Sequence, residues 1–483
     1  MDVYHKLNDP LAFSVFVVTL LLPIGIGLFA LLKTKNQSDF FIGGRRMNKL
    51  VVALSAVSSG RSSWLVLAVS GMAYSLGSGA LWAIVGYTAV EAFQFVYLGK
   101  KLRNETQARD SITLLDYFAS RFSDSRNVIR ITGAIIIGLF MTAYVAAQLN
   151  AGAKTLATSL DVSLELSLVM SGLLILVYMV LGGYVAVAYN DVVRAVIMLM
   201  GLVVLPVVGL VSLGGIGALF DLLRELNPGL IDPLSLGAGV IIGFVGIGLG
   251  SPGQPHIVVR YMSIDQSKNL NYSAVVGTVW NVVLGVGALC IGLVGRAVFP
   301  DVNALPDGDP EMIYLVLSSK YFGPLIYGLL VGGIFAAILS TADSQLLVVA
   351  STFVRDIYEQ VLYKNKVIEE GDKLKLSRIV VVLSGVAAVV LAYFARDLVF
   401  WLVLFAWGGL GASFGPALIL SLYWNRTSRA GIVAGMVTGT LVTIVWKLWL
   451  KEPTGIYELI PAFTAAALMI VIVSLLGRGH YEL

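Results

Sequence analysis

ALSAVSSGRSSW, residues 53 to 64, is the stretch on which the fold turns. One apolar run enters it and another, Leu65 to Met72, leaves it, so the pattern is a membrane helix interrupted near its middle by small polar residues. One full charge, Arg61, stands at the interruption, and a charge at membrane depth is costly enough to be functional by default. A second interruption, GIGLGSPGQP at 246 to 255, follows an apolar run that begins at Gly237. Transporters built from inverted repeats place their substrate between two helices broken at matching positions in the two halves, where unwound backbone offers carbonyls that an intact helix withholds.

Composition agrees with that reading. The chain has 483 residues, of which 58% are apolar and 13% charged, and a mean hydropathy of +0.87, which describes a polytopic protein whose solvent is mostly lipid. The net charge of +4 is spread over loops, with no basic run interleaved with aromatics, so nucleic acid is not expected as a partner. The single cysteine, Cys290, cannot form an internal disulfide and reads as a small apolar residue of a membrane helix. The first apolar run, Leu11 to Leu32, is long enough to span and lacks a cationic leader, so a true span is expected there rather than a cleaved signal.

Apolar runs of bilayer length fall near 11–32, 48–75, 80–99, 127–157, 161–182, 187–213, 236–260, 272–299, 321–352, 374–394, 398–424, 429–449 and 456–477. An all-α protein of about thirteen transmembrane helices is expected, with the turn at Leu181, Gly182 and Gly183 especially tight. Basic residues crowd the loops after the first and third spans, whereas Asp221, Glu225, Asp232, Asp301, Asp307, Asp309 and Glu311 occupy others. By the positive-inside rule the N-terminus is expected outside and the C-terminus inside, in the cytoplasmic (inner) membrane. The spacing of the breaks divides the chain into an extra helix with its loop (1–47), a five-helix repeat (48–213), an outer loop (214–235), a second five-helix repeat (236–424) and two final helices (425–483). Five is odd, so the second repeat is inverted relative to the first.

At this point a resemblance emerges. DFFIGGRRM (39–47), VALSAVSSGRSSW (52–64), SITLLDYFASRF (111–122), LGGYVAVAYNDVVRA (181–195), GLGSPGQPHIVVRYM (248–262), AAILSTADSQLLV (336–348) and WGGLGASFGPALILSLYW (407–424) together resemble the sodium/solute symporter family, most closely its bacterial proline-carrying members. The resemblance implies a five-plus-five inverted repeat and Na+ as the coupling ion. It implies that the hydroxyls of Ser340 and Thr341, with backbone carbonyls of Ala337, Ser58 and Arg61, hold the ion. On composition alone such hydroxyls bond back to their own helix. Asp191 matches an acid on the ion's way out, although by itself it reads equally as an interfacial partner of Arg194. Asp343, three residues past Ser340 and so on the same helix face, is a second ligand or the partner of a buried cation.

The departures bear on the substrate. Gly60 stands where the proline carriers have an aspartate, and Arg61 follows it. Glu91 stands where they have a small apolar residue, so Arg61 is expected to pair with Glu91 or Asp343. Arg61 then fills the space of a cation, binds an anionic solute, or is structural. Of the aromatic lining that the resemblance assigns, only Tyr144 remains; Ile247 and Ser251 replace two rings and widen the pocket. Ser62, Gln148, Gln254 and these three complete the expected substrate site, in which proline, another amino acid or a related carboxylate is taken up. His256 retains the family pattern as a cap or ligand.

Other classes fare worse. The histidines are His5, His256 and His480, and no HExxH, paired cysteines or phosphate loop occurs, so an enzyme is not expected. A sensor input would need an output domain, which is not expected after Leu483. A sodium-independent or proton-coupled transporter or facilitator of the same fold is the alternative. The stretch Arg355 to Arg378 reads as a solvated cytoplasmic helix, Trp401, Trp424, Trp446 and Tyr457 as interfacial anchors, and no obligate protein partner is evident.

Overall fold

A computed structural model describes residues 6–31, 34, 36–179, 183–364, 368–395 and 399–477. Leu181 and Gly182 of the expected tight turn lie outside the described residues. The architecture is all-α, with helices at α1 (Pro10–Leu31), α2 (Lys49–Gly60), α3 (Ser70–Leu76), α4 (Leu81–Phe93), α5 (Val128–Leu160), α6 (Leu164–Met179), α7 (Tyr184–Ser212) and α8 (Ala238–Gly246). These are followed by α9 (Pro255–Ser263), α10 (Leu270–Val298), α11 (Pro324–Ser351), α12 (Glu370–Phe394), α13 (Val399–Tyr423), α14 (Arg429–Val445) and α15 (Leu459–Leu476). Among the described residues ten helical stretches are long and apolar enough to cross a membrane, and Lys49–Gly60, Leu164–Leu174 and Ala238–Gly253 are shorter apolar helices. This is a multi-pass membrane protein. The stretch 214–235, expected as a loop, contains the helix Ile216–Leu226.

Both interruptions are real breaks. The first helix stops at Gly60, Arg61 takes φ −112° and ψ 48°, and helix resumes at Trp64. In the second, α8 gives way to tight turns over Ile247–Gly253, Gln254 is extended, and Pro255 opens α9 at the position where its missing N–H costs nothing. Glycine makes the second break possible by close approach: a Cβ on Gly248 would lie 2.2 Å from the carbonyl oxygen of Gly86 in α4, and one on Gly250 2.0 Å from Trp407 Nε1 in α13. The break is thus clamped between two helices with no room for a side chain.

The start of the stretch after α11 differs from expectation, whereas residues 369–372, Lys375 and Arg378 are exposed as a solvated helix would be. Arg355 reaches Asp116 at 3.4 Å and Glu359 at 3.1 Å, and Asp356 is fully buried against Arg130, which also meets Asp116 at 2.6 Å. These charges hold the end of the α11 continuation against the start of α5, and are not a solvated surface. Tyr457 is likewise buried, its hydroxyl donating to the carbonyl of Leu404 at 2.7 Å, rather than an interfacial anchor.

Candidate functional site between the two breaks

A helix that stops inside a membrane leaves carbonyls without amide partners, and they must be satisfied locally. The end of α2 shows how. The carbonyl of Ser58 accepts from Ser340 Oγ at 3.1 Å, that of Ser59 from Thr341 Oγ1 at 3.0 Å, and that of Gly60 from Arg61 Nη1 at 3.1 Å. Ser340 Oγ also lies 3.0 Å from the carbonyl of Ala337. Both hydroxyls therefore leave the purely self-bonded state usual for a membrane helix and bridge α11 to the break. Ser58, Ala337, Ser340 and Thr341 come together as a cluster of neutral oxygens. Arg61 is brought in through its side chain.

That side chain is fully buried. Arg61 Nη2 lies 2.6 Å from Glu91 Oε2, Nε donates to Asn281 Oδ1 at 2.9 Å, and the guanidinium sits 3.7 Å from the centre of the Tyr87 ring. Asn281 Nδ2 in turn donates to Glu91 Oε2 at 2.6 Å. Of the two partners expected for Arg61, the structure selects Glu91. Ser251 joins this network, donating to Gln94 Oε1 at 3.0 Å and lying 3.4 Å from Glu91 Oε1.

A small cavity of about 10 Å³ lies between the breaks, lined by Gly60, Arg61, Trp64, Tyr87, Tyr144, Ile247, Val403, Leu404 and Trp407. Two of the expected substrate residues, Tyr144 and Ile247, face it, as does Arg61. Others brace the breaks instead. Gln148 Oε1 accepts from Ser63 N at 3.2 Å and Ser63 Oγ at 2.9 Å, and Ser62 Oγ accepts from Trp64 N at 3.2 Å. Gln254 Nε2 donates to the carbonyls of Gly250 at 3.2 Å and Trp407 at 3.0 Å. His256 is fully buried, edge-on to Tyr144 with ring centres 6.0 Å apart. Trp64, Tyr87 and Trp407 were not anticipated, because an aromatic in an apolar run carries no mark of which way it faces.

Beyond the sodium-type cluster lies a second set of buried charges. Asp191 is fully buried, not interfacial, and accepts from Ser55 Oγ at 2.6 Å and Ser59 Oγ at 2.9 Å. Its nearer cation is Arg260, at 3.3 Å, with Arg194 at 3.8 Å. Arg260 also donates to Ser59 Oγ at 2.8 Å and to Ser344 Oγ. Asp343 pairs with Arg194 at 2.6 Å, the contact expected of a buried cation's partner. Arg260 escaped the sequence reading because a cation near a helix end looks like an ordinary last-turn residue.

Broken helices enclosing a small, mostly apolar cavity beside a cluster of neutral oxygens define a secondary transporter of the amino-acid/sodium symporter-like fold. The chain belongs to the sodium:solute symporter family, whose pattern it matches over residues 40–439. It is 34% identical to the osmoregulated proline transporter OpuE of Bacillus subtilis, over 97% of this chain and 94% of that one. To a sodium/proline symporter of Staphylococcus aureus it is 36% identical, over 92% and 88% respectively. Among solved structures, a Na+-coupled sialic acid symporter in a substrate-bound outward-open state superposes with a TM-score of 0.84 at 18% identity, covering 98% of this chain and 99% of that one. MHP1, a nucleobase-cation-symport-1 family transporter, superposes with a TM-score of 0.55 at 12% identity, covering 91% and 94%.

Proposed function

We propose that the protein is a secondary active transporter that carries a small organic solute into the cell together with sodium, and that it has no catalytic activity. The observation that carries this is the bridge from Ser340 and Thr341 to the carbonyls of Ser58 and Ser59 at the end of the first broken helix. Sodium needs several oxygens and little space, and here hydroxyls and carbonyls converge without a fixed negative charge. The ion would take the place of the hydrogen bonds these hydroxyls make, each oxygen keeping its proton and turning a lone pair inward, with the carbonyls of Ala337 and Arg61 completing the set. Relatives named for proline and for sodium, at more than a third identity over most of the chain, support the same ion and a solute of that size. Asp191 and Asp343, held by Arg260 and Arg194, would lie on the ion's path toward the cytoplasm.

The units that move would be the repeats 48–213 and 236–424, with 1–47 and 425–483 packed around them and 214–235 outside. The protein would sit in the cytoplasmic membrane with its N-terminus outside and C-terminus inside, needing no obligate protein partner. A C-terminal reporter that is active only outside the cell would overturn that orientation.

The test of sodium coupling is uptake by the purified protein in liposomes with and without an inward sodium gradient. Ser340→Ala with Thr341→Ala should raise the sodium concentration needed for half-stimulation by about tenfold or more, a loss of about 1.4 kcal/mol per factor of ten. Unaltered stimulation in that variant places the ion elsewhere.

A further inference from the structure

Within the sodium-symport reading, on which this step rests, we infer that the solute is a small monocarboxylate without an amino group, and that Arg61 receives its carboxylate.

The cavity between the breaks shows more unused hydrogen-bond donors than unused acceptors. Arg61 Nη2 faces Glu91 at 2.6 Å without the alignment of a hydrogen bond and has no other acceptor, while Nε and Nη1 are already engaged by Asn281 and the carbonyl of Gly60. Trp64 Nε1 and Tyr87 Oη, from two other residues of the lining, are also buried without a partner. Unmet donors in a dry site cost free energy that a ligand acceptor recovers, and a guanidinium N–H is the strongest of these because the bond it makes is charge-assisted.

An ammonium group finds no comparable reception. The Glu91 carboxylate is turned to Arg61 and Asn281, with Ser251 beside its second oxygen. The carbonyl of Gly60 is taken by Arg61, that of Ile247 by Trp407 Nε1 at 2.8 Å, and that of Gly250 by Gln254. The rest of the lining is aromatic or aliphatic, and the one charged lining residue is itself a cation. An amine would have to shed its water and face Arg61, with only aromatic faces and the Tyr87 hydroxyl in exchange.

Charge balance points the same way. Arg61, Arg194 and Arg260 stand against Glu91, Asp191 and Asp343 in the buried centre, each cation within ion-pair distance of an acid. With those six neutral as a set, one sodium ion and one monocarboxylate add no net charge to the interior, whereas sodium and a zwitterion add one. A neutral load is the cheaper one to enclose at bilayer depth.

The test uses the full-length protein and its tryptophan fluorescence, since Trp64 and Trp407 line the cavity. Acetate, lactate, pyruvate and benzoate are titrated against proline and alanine, in sodium and in potassium. Labelled pyruvate and labelled proline are then followed into proteoliposomes under a sodium gradient, at a membrane potential clamped to zero or to inside-negative. The expected result is a sodium-dependent response to one or more of the acids and none to the amino acids, with pyruvate uptake indifferent to the potential. In Arg61→Gln with Glu91→Gln, which removes the charges as a pair, affinity for those acids should fall about ten- to a hundredfold, the worth of a charged hydrogen bond. Gel filtration and the sodium-induced rise in melting temperature show that this variant is folded. A response to proline or alanine with none to the four acids overturns the inference and leaves sodium symport standing. Retained acid affinity in the double variant, or uptake that follows the potential, also overturns it. No sodium-dependent response to any compound overturns both the inference and the symport reading beneath it.

Discussion

Gly60 ends the first broken helix, and its surroundings say why an acid is not tolerated there. A Cβ built on it lies 3.5 Å from Glu91 Oε1 and 3.2 Å from Ile257 Cδ1, so an alanine fits with a small shift of one flexible methyl. An aspartate would set a second carboxylate beside Glu91 with only Arg61 to serve both. Gly60→Asp should therefore cost about 3–5 kcal/mol, the scale of an uncompensated buried charge, and Gly60→Asp with Glu91→Gln should recover most of it. Thermal unfolding in detergent measures both; equal losses in the single and double variants would show that the defect is steric. The Arg61–Glu91 pair was legible in the sequence because full charges stand out in apolar runs. Arg260 with Asp191, and Arg194 with Asp343, were not, because each partner is remote in sequence and a lone cation near a helix end has an ordinary explanation. For the same reason Trp64, Tyr87 and Trp407 stayed hidden while Tyr144, one of the ring positions the family marks, did not.

At the level of elements, the breaks were legible because serine, glycine and proline at membrane depth have few other uses. What the sequence hid was the packing that holds them open. Gly248 touches the backbone of α4 and Gly250 the ring of Trp407, contacts that follow from the approach of three helices and from nothing local. Gly248→Ala pushes a methyl to 2.2 Å from a backbone oxygen that has no rotamer to change. It should destabilise by about 1–3 kcal/mol or more and slow transport, since the break must re-form at each cycle. Gly239→Ala is the control: in α8, only nine residues earlier, nothing lies within 4 Å of the added carbon. That change should be neutral or stabilising by up to about 1 kcal/mol, because helix propensity alone is altered. If both glycines tolerate alanine alike, the second break is not clamped as the structure has it. The misread start of the stretch after α11 teaches the converse: alternating charges look solvated, yet Asp356 and Glu359 are buried because Arg130, Arg355 and Lys373 come from three different elements to meet them.

Among the described residues, cavities are strung along α5. Ile137 lines one of about 20 Å³, with Arg260, Ser344 and Ser351; Tyr144 lines the central one; Lys154 and Ala157 line another of about 950 Å³. At about 1.5 Å per residue, the helix sets the first and last some 26 to 30 Å apart, close to the thickness of a bilayer core. The large vestibule is bordered by Lys154, which holds Asp309 at 2.8 Å and Glu311 at 3.1 Å and so ties α5 to the segment before α11. The small one is bordered by Arg260, which ties α9 to the break. In alternating access, opening one end closes the other, and a ligand shifts that balance only by binding one state more tightly. Sodium at Ser340 and Thr341 joins α11 to the break at α2, so it should favour a single one of the two states. Cysteines placed at Ala157 and, separately, at Ser351, in a Cys290→Ser background, report each end by their reaction with a small charged thiol reagent. Sodium should speed labelling at residue 157 and slow it at residue 351, and Ser340→Ala with Thr341→Ala should abolish both changes together. If sodium alters the two rates in the same direction, the ion stiffens or loosens the protein as a whole, and a rocking of one repeat against the other is not what couples it to the solute.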